Sequence, residues 1–161
     1  MNWEAAGAIG EIVSAIGVIG TLIYLSIQIR NSTLESRIAA SSEIARDYNS
    51  YLQHISSDAD LSKLWQTALE DFPSLTREEK TRVTMMAGNM TRILESAYLQ
   101  YESGRMTNES WNGYEKLLRR GVASSLFPNY WELRKDMHNP AFGKLVEKLL
   151  SDPDTRKMFM E

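Results

Sequence analysis

The stretch that decides the fold is residues 12–29, IVSAIGVIGTLIYLSIQI, which runs for eighteen residues without a charged side chain. A helix of that length is about 27 Å long, close to the roughly 30 Å hydrocarbon thickness of a bilayer. Residues 7–11 ahead of it extend the segment far enough for one membrane-spanning helix. No Lys or Arg precedes Arg30, so the basic start of a secretory signal is missing. The bulky residues from Tyr24 to Arg30 leave no small-residue cleavage site either. The expectation is an uncleaved transmembrane anchor over residues 1–30.

Charge sets its orientation. Glu4 and Glu11 stand before or at the start of the run, and Arg30 and Arg37 follow it. The positive-inside rule then places the anchor in a bacterial inner membrane, with the N-terminus outside and the C-terminal part in the cytoplasm. Trp3, Tyr24, Gln28, Arg30 and Arg37 are the candidate membrane-interface residues, because aromatic, amide and guanidinium groups settle where lipid meets water.

The helix continues past the anchor. No Pro or Gly occurs from Asn31 to Ile55, and Leu34, Ile38, Ala45, Tyr48, Leu52 and Ile55 recur at helical spacing. A helix from Glu4 to Ile55 would be about 78 Å long. Its residues, spaced 100° apart, fall into two unlike stripes. One is apolar throughout, from Ile9, Ile12 and Ile16 to Leu34, Ile38 and Leu52. The other carries Gly7, Gly10, Glu11, Ser14, Gly17 and Thr21, interrupted by Val18 and Leu25. Small residues let helix backbones approach closely in lipid, so these six form the candidate helix-association seam.

Punctuation divides the rest. Asp58 or Asp60 caps a helix from Ala59 to Asp71, and Phe72-Pro73 breaks it. Thr76 and Glu79 make a capping box for a long helix to about Ser103, with Gly104 at its C′ position. Thr107 or Asn108 opens a helix to about Arg120, which Gly121 loosens. Pro128 and Pro140 each take a first helical position, and Asp152-Pro153 ends the last helix. No alternating strand pattern occurs. The fold class is all-α: an N-terminal transmembrane helix continuing into a long cytoplasmic helix, packed by a small antiparallel helical bundle. The expected segments are 1–30 (anchor), 31–57 (extension), 58–152 (helical domain) and 153–161 (a tail that frays or docks through Met158 and Phe159).

Several segments together resemble a known group. GAIGEIV, TLIYLSIQIRN, AYLQYESG, ESWNGYEKLLR and YWELR are similar to a widespread uncharacterised family of small bacterial single-span membrane proteins with a helical cytoplasmic domain. The resemblance covers most of the chain. It implies the same architecture, and it implies no activity, cofactor or catalytic residue.

Composition narrows the chemistry. The 161 residues carry 18 basic and 21 acidic side chains, a net charge of −3, without the basic surface that nucleic acid requires. There is no cysteine, which excludes disulfides, iron–sulfur clusters and thiolate zinc sites. His54 and His138 are the only histidines and are expected on the surface, with neither placed to form a catalytic pair. No nucleophile elbow, E-x-x-H repeat or phosphate loop occurs. Hence no catalytic residue, metal or cofactor is assigned. The aromatics Trp65, Trp111, Tyr114, Trp131 and Phe142 lie on apolar helix faces and are expected in the core.

The expected function is a membrane-anchored interaction or scaffold protein. Its partners would be membrane lipid and either a second copy of itself or another membrane protein. The alternative is a homo-oligomeric channel lined by the small and polar face with Glu11, a carboxylate otherwise placed at the outer interface.

Overall fold

The computed structural model describes residues 3–157, with side-chain surroundings described for residue 11 and for 14–155. Among these residues the chain is all-helical. The helices are α1 (Trp3–Ser56), α2 (Ala59–Asp71), α3 (Arg77–Glu102), α4 (Asn108–Ala123), α5 (Leu126–Arg134), α6 (Pro140–Ser151) and α7 (Pro153–Lys157). Short 3-10 turns, Phe72–Ser74 and Lys135–Met137, follow α2 and α5.

Local chemistry explains most of these limits. Asp58 Oδ1 accepts the Leu61 N–H at 3.0 Å and caps α2. Thr76 and Glu79 bond reciprocally, completing the capping box of α3. Gly104, at φ 70°, takes the left-handed step after α3 that a side chain would oppose. Asn139 caps α6, and Pro140 fills its first position.

Three expectations need correction. Gly121 does not end α4, which runs on to Ala123. Pro128 is the third residue of α5, because Leu126 already begins that helix. First-turn N–H groups have no intrahelical acceptor, so a proline there forfeits no bond. Pro153 opens the short helix α7, whose Thr155 is buried; Met158 and Phe159 lie outside the described residues.

The chain divides into two compact units, residues through Ala39 and residues from Ala40. In the second, α3 packs on α2, α4, α5 and α6, while α4 also meets α7. Phe142, Leu61, Leu118, Leu126, Leu149, Val83 and Val146 are fully buried there. The last part of α1 belongs to this unit through Ala40, Ile44, Tyr51 and Ile55. The inward phase therefore differs from the expected Ala45 and Leu52, and Leu52 is exposed. Ile44 packs with Ala97, Met106 and Trp111, which sets that phase.

In the first unit every residue from Ser14 to Ala39 is exposed. Among the described residues no helix is long and apolar enough to cross a membrane. Ile12 and Val13, which open the charge-free run, have side chains outside that description.

Candidate functional site

Ile16, Val18, Ile19, Leu22, Ile23, Leu25, Ile27 and Ile29 are each between 46% and 67% exposed. At 100° per residue they cover somewhat more than half of the circumference of α1. The remaining side carries Gly17, Tyr24 and Gln28 near its middle, with Thr21, Ser14 and Gly20 toward its edges. A Cβ added at Gly17 or Gly20 would meet nothing within 4 Å. The candidate seam is thus shallow at Gly17 and Gly20, where another helix could lie closely, and the exposed Tyr24 and Gln28 side chains rise from the same side beyond it.

Two hydroxyls of this section, and that of Thr33 just beyond it, turn back onto their own helix. Thr21 Oγ1 donates to the Gly17 carbonyl at 2.9 Å, Ser26 Oγ to Leu22 at 2.9 Å, and Thr33 Oγ1 to Ile29 at 2.8 Å. Each bond hides a donor that would otherwise need water. Glu11 is exposed, as are Arg30 and Arg37 beyond the run. Tyr24 and Gln28 border a shallow hollow with Ile27, Asn31, Ser32 and Glu35. Trp3, Gly7 and Gly10 lie on α1, but their surroundings are outside the described residues.

A second constellation lies in the helical unit. Glu95 of α3, Tyr130 of α5 and His138 before α6 form one buried array. His138 Nδ1 is 2.8 Å from Glu95 Oε2, and its Nε2 is 2.8 Å from the Tyr130 hydroxyl. The Asn139 N–H donates to the other Glu95 oxygen. Arg92 bonds Glu95 Oε2 at 2.9 Å and the Met137 carbonyl at 2.6 Å.

Burial alone pushes the Glu95 carboxyl up. The Asn139 N–H, His138 and Arg92 outweigh it and hold the carboxyl below its ordinary range. Because Glu95 is then a carboxylate, it accepts the Nδ1–H of His138, and Nε2 faces the Tyr130 hydroxyl. Trp131 stacks on the imidazole at 5.3 Å.

No family model, curated protein or solved structure matches this chain.

The surface placement expected of His138 is therefore wrong, whereas His54 is exposed. The connectivity of acid, imidazole and hydroxyl imitates a proton relay, but the His138 side chain is only 1% exposed and both its nitrogens are occupied internally. The array acts as a fastener, holding the connection between α5 and α6 against α3. No local motif announces it; the lone signal was a second histidine beside Asn-Pro. Among the described residues no three potential ligands converge on a metal position.

Proposed function

We propose that this protein is a membrane-anchored interaction or scaffold protein, self-associating or docking as an accessory subunit on a membrane complex. The observation that carries this reading is the exposed, charge-free section of α1, with the Thr21 and Ser26 hydroxyls returned to the backbone. A helix that is apolar around most of its circumference needs an apolar environment. With Ile12 and Val13 the run reaches eighteen residues, about the length that lipid asks of a spanning helix. The acidic residues ahead of it and Arg30 and Arg37 behind it favour the helical unit on the cytoplasmic side of an inner membrane.

Interaction follows from two surfaces. The Gly17–Thr21 track suits a neighbouring helix within the membrane. On the helical unit, Met85 and Leu133 line an open hollow with Arg77, Lys80 and Arg134, and these two apolar side chains are 57% and 70% exposed. Three basic side chains against one acid, Glu132, around exposed apolar groups suit a partner that presents acidic residues around an apolar anchor.

The chain has no cysteine, so an introduced thiol is unique. Membranes carrying Ser14→Cys or Gly17→Cys should yield a disulfide-linked dimer or a cross-link to a co-purifying membrane protein. A chain that leaves the membrane on alkaline carbonate washing, or stays monomeric with nothing co-purifying, would overturn the proposal.

A further inference from the structure

Helices α2, α3, α4 and the start of α5 line a half-open pocket of about 280 Å³. Trp65, Leu69, Met90, Leu94, Leu117 and Phe127 supply most of its wall. Cores ordinarily contain few voids larger than a water molecule, and this one approaches the size of a small-ligand pocket.

The cavity is chemically unsuited to water. Its two wall hydroxyls are already engaged: Thr91 Oγ1 donates to the Ala87 carbonyl at 2.7 Å, and Ser124 Oγ donates to the Gly121 carbonyl at 2.6 Å. A water needs two to four polar partners, and away from Arg120 the wall offers only the remaining lone pairs of these two hydroxyls. A wall this apolar favours an apolar molecule over water.

One charge borders it. Arg120 is the only ionisable residue in the lining, is exposed, and pairs with no described acidic residue. Its neighbour Arg119 is committed to Glu115 and Asp152. An apolar body with a single anionic end matches both features. Scaling from benzene in a cavity of about 150 Å³, the space holds a chain of about ten to twelve carbons.

We propose that the cavity between α2, α3, α4 and α5 binds one medium-length acyl chain, with its anionic head on Arg120. This site does not depend on where α1 resides.

The test uses the full chain in phosphatidylcholine nanodiscs and a photoreactive dodecanoate bearing a terminal diazirine. Adducts should map to Met90, Leu94 and Leu117, fall on addition of unlabelled dodecanoate, and disappear in Gly121→Leu. A Cβ at Gly121 meets nothing within 4 Å, so that leucine can enter the cavity without displacing a neighbour. Should it disturb α4, Met90→Trp fills the same space from the opposite wall. Arg120→Gln should weaken competition by dodecanoate about fivefold and leave competition by dodecanol unchanged. Stronger competition by dodecanoate than by dodecyl lysophosphatidate assigns the chain to a free acid; the reverse order assigns it to a lipid. Adducts confined to residues 14–38, or undiminished in both filled variants, would overturn the site.

Discussion

His138 and Glu95 are 43 residues apart in the chain and 2.8 Å apart in the fold. Through this bond, α3 holds the turn between α5 and α6, and Tyr130 completes the attachment from the other ring nitrogen. A buried carboxylate stays charged here because a main-chain N–H, an imidazole and a guanidinium all face it.

Removing that charge should loosen the helical unit. Glu95→Gln is expected to lower stability by about 2 kcal/mol at neutral pH, since bonds to a charged acceptor become bonds to an amide. Chemical denaturation of the two chains at pH 7 measures the difference. An unchanged midpoint would mean that the array contributes nothing.

Acid should have a related effect. The Glu95 carboxyl is lowered in the folded state, so its contribution is complete above the ordinary value of 4.5 and fades as pH falls through the lower, folded value. Stability of the native chain should therefore drop below pH 4.5, and Glu95→Gln should flatten this part of the drop. Denaturant midpoints at stepped pH follow both.

Two glycines should respond in opposite directions to alanine. Gly104→Ala places a Cβ on a residue at φ 70° and should cost about 1 kcal/mol. Gly113→Ala lies inside α4 with nothing within 4 Å and should gain roughly 0.5 kcal/mol from helix propensity. Thermal melts of the pair distinguish backbone conformation from space.

Phe142 is fully buried and packs against Tyr98, Trp131 and His138. Phe142→Ala should destabilise by about 3–5 kcal/mol, which equilibrium unfolding reads directly. A loss under 1 kcal/mol would show that the core collapses around the gap.

In α1, Ile19→Lys with Ile23→Lys should release the chain from carbonate-washed membranes, at about 3 kcal/mol for each lysine on insertion scales. The melting of the helical unit should stay the same. Retention of the double variant in the pellet would point to attachment through another part of the chain.

Helix existence was legible wherever a side chain announces a boundary within one turn, as Asp58, Thr76, Gly104 and Asn139 do. Boundaries set by non-local contacts were not. Gly121 looked like a breaker, yet Leu118 and Val122 are buried on either side of it, and packing carries α4 through. The stripe through Ile38, Ala45 and Leu52 was the wrong phase for α1 beyond Ala39, because apolar residues sit on two adjoining faces. Contact of Ile44 with Trp111 selects one. The Glu95–His138 bond was out of reach for the same reason, since neither residue carries a local mark of its partner. The exposed run of α1, by contrast, depends on composition alone and was visible at once.

Trp131 is 3% exposed and lies flat on the ring that Glu95 holds. An indole kept this dry emits toward the blue, and water reaching it moves the emission red. The fastener between α3 and the α5–α6 turn thus carries an optical gauge of its own opening. With Trp3, Trp65 and Trp111 replaced by phenylalanine, a red shift that precedes loss of helical ellipticity would time the release of one turn separately from the melting of the whole unit.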